Sequence, residues 1–161
     1  MEDDARVRRQ ALGYCLKAIN KRLHSSHELA QALARKEVPQ PVIAGVLEEL
    51  SGFDLVNDER FAKAWVRGRD SLRPRGPSVL QMELMQKGIP KDLIRQVLAD
   101  RKEAATDPDS EQPTDEDLAK EVVRRKERQY AHLDPETRKR RLIALLMRRG
   151  FSYDVARRIL S

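Results

Sequence analysis

The sequence predicts an all-α fold, an elongated array of three tandem three-helix repeats that each resemble a helix-turn-helix unit. The first observation is an internal repeat: the pattern at residues 29–47 recurs at 80–98, with an offset of 51, and again at 142–160, with a further offset of 62. Its apolar residues are spaced as on one face of a helix. The second is composition, since 36% charged and 4% aromatic residues suit thin helical layers that stack and share a core.

The first repeat is predicted at residues 5–56. Its first helix carries an apolar stripe of Leu12, Leu16, Ile19 and Leu23. Ser25 and Glu28 have the spacing of a capping box, which opens the second helix. Pro41 suits the first turn of the third helix, which Gly52 ends.

The second repeat is predicted at residues 57–102. Asn57 or Asp58 caps its first helix, and Pro77 begins its second. Gly88 suits the left-handed turn after that helix, and the last helix is expected to end near Arg101.

An acidic linker is predicted at 103–114, followed by the third repeat at 115–161. The linker has no apolar period. Helix caps are predicted at Thr114, Asp134 and Ser152. The first repeat departs from the other two at its turn, where Glu37 stands in place of Gly88 and Gly150. A left-handed Glu37 would cost about 1 kcal/mol.

Charge is unevenly distributed along the chain. The net charge is −1 over residues 1–58, +6 over 59–102, −7 over 103–121 and +8 over 122–161. Two dense basic blocks favour a polyanion or an acidic protein groove as the partner.

The basic side chains of these two blocks are the candidate binding residues, because arginine can grip phosphate or carboxylate with two parallel hydrogen bonds. Lys63, Arg67 and Asp70 are also expected to form an ion-pair ladder along one helix. Four consecutive cations near the start of the eighth helix oppose its dipole, which hints at a function. The candidates are Lys63, Arg67, Arg69, Arg73, Arg75, Arg124, Arg125, Lys126, Arg128, Arg138, Lys139, Arg140, Arg141, Arg148 and Arg149.

No catalytic constellation, metal-ligand spacing or phosphate-binding glycine loop is present, so neither an enzyme nor a cofactor is expected. The single cysteine, Cys15, is predicted to be a reduced core residue. No run of about 18 apolar residues exists, and the N-terminal Met-Glu-Asp-Asp does not resemble a secretion signal. A cytoplasmic monomer is therefore expected.

The sequence resembles the RecX family, regulators of the RecA recombinase. The most specific part of the resemblance is the block Asn57-Asp58-Glu59-x-Phe61-Ala62 followed by the turn Lys87-Gly88-Ile89. A block near the C-terminus also matches the family. The residues that carry the resemblance are Ser26-x-Glu28-Leu29, Leu55-Val56-Asn57-Asp58-Glu59-Arg60-Phe61-Ala62, Arg67-x-Arg69, Gly76, Leu84-x-x-Lys87-Gly88-Ile89 and Arg148-Arg149-Gly150-Phe151-Ser152-Tyr153-Asp154.

The resemblance implies three tandem three-helix repeats and a non-catalytic protein that binds the RecA filament on DNA. Family members lie in the filament groove, inhibit the coupled ATPase and strand exchange, and in many cases bind single- or double-stranded DNA weakly. The family has no invariant catalytic residue. This chain departs from the family at Glu37 and in the acidic linker, which is expected to let the third repeat swing.

Two other functions remain open at this point. A helix-turn-helix transcription regulator would fit the turns, although Leu93, Ile94, Val97 and Leu98 occupy surface that base-reading side chains would need. A structural adaptor without a DNA role would be indifferent to salt and to DNA.

Overall fold

The computed structural model describes residues 2–161. Met1 lies outside the described residues. It is the first residue of the Met-Glu-Asp-Asp stretch that does not resemble a secretion signal. Within 2–161 the chain forms nine α-helices and no strand, as the sequence predicts. The helices are α1 (Glu2–Lys21), α2 (Ser26–Ala34), α3 (Gln40–Gly52), α4 (Asp58–Leu72), α5 (Pro77–Gln86), α6 (Lys91–Thr106), α7 (Asp115–Tyr130), α8 (Pro135–Arg148) and α9 (Tyr153–Ile159).

The first helix begins at Glu2, three residues before the predicted start of the first repeat, and the predicted helix caps are confirmed. Capping boxes open α2, at Ser25 and Glu28, and α7, at Thr114 and Asp117. The side chains that accept the first backbone N–H groups of α4, α8 and α9 are Asn57, Asp134 and Ser152. One helix end differs from expectation, because α6 continues to Thr106 and residues 103–106 are helical.

Each repeat has a separate buried core, so the expectation of one shared core is wrong. The first core contains Cys15, Leu29, Leu33 and Leu50, and Cys15 is fully buried as predicted. Burial raises the pKa of its thiol. The second and third cores form around Leu84 and Leu146 respectively. Neighbouring repeats therefore meet through contacts outside these cores.

The junction between the first and second repeats is polar. The Ser25 hydroxyl donates to the carbonyl oxygen of Lys87 at 2.7 Å. The backbone N–H and the hydroxyl of Ser26 donate to the two carboxylate oxygens of Asp58, at 2.8 and 2.6 Å. The Lys87 ammonium donates to Glu28 at 2.8 Å. The start of α2 is thus seated on the turn that follows α5.

The junction between the second and third repeats has the same architecture. The N–H of Gly76 donates to the carbonyl oxygen of Arg149 at 2.8 Å, and the Ser78 hydroxyl donates to the carbonyl oxygen of Gly150 at 3.0 Å. The start of α5 is seated on the turn that follows α8. These direct contacts hold the third repeat against the second independently of the linker, which opposes the expected swing.

A buried arginine adds a second connection between these two repeats. The Arg101 guanidinium on α6 donates twice to Asp70 on α4, at 3.0 and 3.1 Å. It also donates to Asp115 on α7 at 2.8 Å. The side chain of Arg101 is only 11% exposed, so little water reaches its positive charge. Asp70 and Asp115 supply the negative charge that compensates it.

The junctions explain why two turns carry glycine and one does not. Gly88 and Gly150 have φ angles of 74° and 90°. A Cβ on Gly88 would lie 2.2 Å from His27, and one on Gly150 would lie 2.6 Å from the backbone of Val79. Glu37 has a similar φ of 59°, but among the described residues no start of another repeat is seated on its turn.

Candidate functional site

Several predicted binding residues have partners within the protein itself. Lys63 donates to Glu59 at 2.6 Å, and this bond raises the pKa of Lys63. Asp70 is paired with Arg101 rather than with its own helix. The predicted ladder of Lys63, Arg67 and Asp70 is therefore wrong, because a buried partner on α6 takes the carboxylate.

Arg69 lies in a compact polar cluster on the second repeat. Its Nε donates to Glu83 at 2.9 Å, and its guanidinium lies 4.7 Å from the ring centroid of Trp65. The Trp65 indole N–H donates to the same Glu83 oxygen at 2.8 Å. Trp65 therefore packs at the edge of the second core, and its indole N–H has a hydrogen-bond acceptor.

Arg138 closes the connection between α7 and α8. Its guanidinium donates to the carbonyl oxygens of Tyr130, Ala131 and Leu133, at 3.2, 2.9 and 3.0 Å. These carbonyls lie at the end of α7 and just after it, where helix geometry leaves acceptors without intrahelical donors. The position of this cation at the start of α8 thus has a structural reason.

A second group of candidates is exposed on helix surfaces. Arg124 pairs with Glu121 at 2.7 Å, and the bonds from Arg124 and Arg125 lower the pKa of Glu121 to about 2. Other candidates have exposed or half-exposed side chains with no carboxylate within 4 Å among the described residues. They are Arg67, Lys126, Arg128, Lys139, Arg140 and Arg141.

Other candidates, among them Arg73, Arg75 and Arg149, line a cavity between the second and third repeats, which we call the junction pocket. Its volume is about 350 Å³. Its walls come from the loop before α5, from α7 and from the turn after α8. The lining residues are Leu72, Arg73, Pro74, Arg75, Val122, Arg125, Lys126 and Arg149.

Positive charge dominates the junction pocket. Burial lowers the pKa of Arg149, and Arg75, Arg73, Arg125 and Arg148 lower it further. Among the side chains that the structure describes, no carboxylate lies within 4 Å of Arg73, Arg148 or Arg149. This part of the surface carries charge that the protein itself does not compensate.

Two other arginines of the pocket do have a carboxylate within 4 Å. Arg75 lies 3.7 Å from Glu83, too far for a hydrogen bond, and its buried Nε has no acceptor. Arg125 pairs with Glu121 at 2.7 Å and donates to the carbonyl oxygen of Leu72 at 2.8 Å. Arg125 thus fixes the end of α4 against α7 and shapes one wall.

Sequence reasoning missed Glu83, Leu72 and Arg101. Glu83 accepts hydrogen bonds from Trp65 and Arg69 and lies 3.7 Å from Arg75. Nothing in its local sequence distinguishes it from a solvated helix residue. Leu72 is 74% exposed at the rim of the junction pocket. The sequence signal for Leu72 was an apolar side chain in the otherwise polar last turn of α4.

Within the described part of the chain, no three His, Cys, Asp or Glu side chains come together in an arrangement that could hold a metal ion. Of the helices described, none has both the length and the apolar character needed to span a bilayer.

Comparison with known proteins identifies the family. Models of the first, second and third three-helix domains of RecX match residues 11–50, 57–98 and 114–160. The chain belongs to the RecX family. A "Regulatory protein RecX" of Mycobacterium sp. (strain KMS) is 36% identical over 152 residues, covering 91% of this chain and 78% of the relative. Its counterpart in Streptomyces coelicolor is 34% identical over 150 residues, covering 93% and 75%.

Solved RecX structures have the same fold. The crystal structure of RecX from Lactobacillus salivarius superimposes with a TM-score of 0.80, at 21% identity, and covers 99% of this chain and 96% of its own. A second crystal structure, of a regulatory protein RecX, gives a TM-score of 0.80 at 22% identity, covering 98% and 73%. The three-repeat architecture is therefore that of RecX proteins.

Proposed function

We propose that this protein is a non-catalytic regulator that binds the RecA filament on DNA and inhibits its ATPase and strand exchange. The observation that carries the proposal is the match of all three repeats to RecX domains, together with relatives named regulatory proteins. A role in recombination and DNA repair, in the cytoplasm and as a monomer, follows from the same proposal.

The proposed contact surface is the uncompensated positive charge of the second and third repeats. The exposed cations of α8, Lys139, Arg140 and Arg141, have no carboxylate partner among the described residues. Arg73 and Arg149 add charge at the junction pocket. Such charges bind a phosphate backbone or an acidic protein groove without first breaking an internal ion pair.

The physical mechanism is differential binding. A ligand shifts a conformational equilibrium only by the difference in its affinity for the two states. A body of three repeats, held by direct junctions, can contact adjacent RecA subunits at one fixed spacing. It would then favour the filament state that has this spacing and oppose growth or turnover in others.

The test is the single-strand-dependent ATPase of RecA, measured with this protein at a small fraction of the RecA concentration. We expect inhibition by the unaltered protein. Charge reversal of Lys139, Arg140 and Arg141 to glutamate together should weaken inhibition at least about tenfold, since each lost phosphate or carboxylate contact contributes to affinity.

A matched control is Arg95→Glu. Arg95 is an exposed arginine on α6 that pairs with Asp92 at 2.7 Å and lies outside the proposed surface. Equal inhibition by the triple variant and by Arg95→Glu would contradict the assigned surface. No inhibition at equimolar protein, combined with saturable binding to one duplex sequence, would instead favour a helix-turn-helix transcription regulator.

A further inference from the structure

The two junctions between repeats place equivalent cations at equivalent positions. Lys87 directly follows α5 as its C-cap, and Arg149 is the C-cap of α8, 62 residues later. The backbone carbonyl of each accepts a hydrogen bond from the preceding repeat, from Ser25 in one case and Gly76 in the other. Ser25 and Gly76 are themselves related by the offset of 51. The two sites can therefore be compared directly.

At the first junction the cation is fully compensated. The Lys87 ammonium donates to Glu28 at 2.8 Å and lies 4.9 Å from the ring centroid of Trp65. Glu28 is only 15% exposed, so the pair is partly shielded from water. A carboxylate and an aromatic face together stabilise the positive charge.

At the second junction both of these partners are missing. Val79 stands at the position of Glu28, 51 residues later, and packs against Gly150. Val122 stands at the position of Trp65 when Phe61-Ala62 is aligned with Leu118-Ala119. Arg149 therefore faces Arg73, Arg75 and Arg125 across the junction pocket without a carboxylate of its own.

Like charges held together in a partly buried cavity destabilise the fold that holds them. The buried Nε of Arg75 adds a donor without an acceptor. Local unfavourable arrangements of this kind are typical of binding sites that are completed by a ligand. The ligand required here is an anion with several acceptor oxygens, since guanidinium groups approach the cavity from three segments of the chain.

We propose that the junction pocket binds one phosphate group, and that this phosphate completes the junction between the second and third repeats as Glu28 completes the one between the first and second. The phosphate fits because a guanidinium binds two of its oxygens at once, so that several arginines can share it. The phosphate can be free or part of a nucleic-acid backbone. The site itself does not depend on the proposed function, whereas a nucleic-acid source rests on it.

Occupancy of the pocket has a mechanical consequence. Its walls belong to both repeats, so a bound phosphate stabilises only the docked arrangement. By linkage, phosphate then raises the stability of the docked protein. A RecX protein bound along a phosphate backbone would thus hold its third repeat more firmly than the free protein does.

The test is thermal unfolding of the full chain in inorganic phosphate and in chloride at equal ionic strength. We expect saturating phosphate to raise Tm by roughly 2–5 °C relative to chloride. Arg149→Gln should abolish this increase while leaving Tm in chloride equal to or higher than that of the unaltered protein, because it removes a repelled charge. Arg95→Gln, which changes an exposed arginine on α6, should keep the full phosphate response.

A second variant supplies the missing carboxylate from within the chain. Val79→Glu places glutamate where Glu28 stands in the first repeat, and Val79→Gln is its uncharged control. Val79→Glu should abolish the phosphate response and Val79→Gln should retain most of it. A phosphate response of equal size in Arg149→Gln, or no response in the unaltered protein, would overturn the proposal even if Val79→Glu failed to fold.

Two further measurements distinguish the source of the phosphate. If Arg149→Gln lowers affinity for a single-stranded oligonucleotide at least about fivefold more than Arg95→Gln does, the phosphate belongs to nucleic acid. Loss of the phosphate response with unchanged oligonucleotide affinity would assign the pocket to free phosphate. Stronger displacement of phosphate by a polyglutamate peptide than by the oligonucleotide would overturn the assignment in favour of an acidic protein segment. A protein that inhibits RecA but shows no phosphate response would refute the pocket and leave the proposed function intact.

Discussion

The hydroxyl of Ser25 donates a 2.7 Å hydrogen bond to the carbonyl oxygen of Lys87, 62 residues away in the next repeat. The Ser25 Oγ also accepts the N–H of Glu28 at 3.1 Å and so caps α2. One fully buried side chain therefore starts a helix and fixes the position of a neighbouring repeat. Local structure and long-range packing are coupled at this residue.

Ser25→Ala should destabilise the protein by roughly 2–4 kcal/mol. The substitution removes a helix cap and leaves the partly buried Lys87 carbonyl without this donor, and each loss costs on the order of 1–2 kcal/mol. The measurement is urea denaturation followed by circular dichroism. The control is Ser152→Ala, which removes the cap of α9 at an exposed position and should cost about 1 kcal/mol. Equal losses in the two variants would contradict the role of Ser25 at the junction.

Substitutions at two of the three equivalent turn positions, Gly88 and Glu37, should have opposite effects on stability. Gly88→Ala should destabilise by at least about 2 kcal/mol, because a left-handed alanine is strained and its Cβ would collide with His27. Glu37→Gly should stabilise by up to about 1 kcal/mol, since it relieves left-handed strain at an exposed turn. Thermal and urea unfolding of both variants check this contrast. A stabilising Gly88→Ala would show that the close approach to His27 is not required.

The ion pair between Glu28 and Lys87 should make the first junction sensitive to acid. Burial raises the pKa of Glu28, but hydrogen bonds from Lys87, Arg22 and Ser25 outweigh it and lower the pKa below its ordinary value of 4.5. A carboxyl with a lowered pKa contributes stability above that ordinary value and loses it as pH falls through the folded-state pKa.

Glu28→Gln should therefore be less stable than the unaltered protein at pH 7, with the difference shrinking below about pH 4. The measurement is urea unfolding between pH 7 and pH 3. Glu103→Gln, at an exposed position of α6, is the control and should show little difference at any pH. A deficit in Glu28→Gln that stayed constant down to pH 3 would refute the contribution of the charge.

Substitutions of Arg138 and Arg140 should have different effects, the first on stability and the second on DNA binding, although the two residues lie two positions apart on one helix. Arg138→Ala should lower the free energy of unfolding by about 1–3 kcal/mol, because its guanidinium donates to three backbone carbonyls. Arg140→Ala should leave stability within about 0.5 kcal/mol, since Arg140 is exposed.

In binding to DNA, Arg140→Ala should have a larger effect than Arg138→Ala, the reverse of their order in stability. Arg140→Ala should weaken binding to single-stranded DNA and reduce its salt dependence by about one unit of slope, as expected for a lost phosphate contact. Fluorescence anisotropy across a series of salt concentrations measures both quantities. An unchanged salt slope in Arg140→Ala would remove this residue from the proposed surface.

The extent of the helices and their caps could be predicted because they depend on residues a few positions apart. Ser25 with Glu28, Thr114 with Asp117, and Pro77 each act within a single turn. The repeat offset also located the turn glycines. The end of α6 was the exception, because residues 103–106 have too few apolar side chains to indicate that the helix continues.

Sequence by itself determined the all-α class, the three repeats and the two basic blocks, since composition, periodicity and spacing are local properties of a chain. Only the tertiary structure decided what each cation does. Arg69 and Arg138 are held by internal partners, whereas Arg149 is left facing other arginines. An ion pair depends on groups distant in sequence that the fold brings within 4 Å, so the charge available to a ligand is known only once that packing is known.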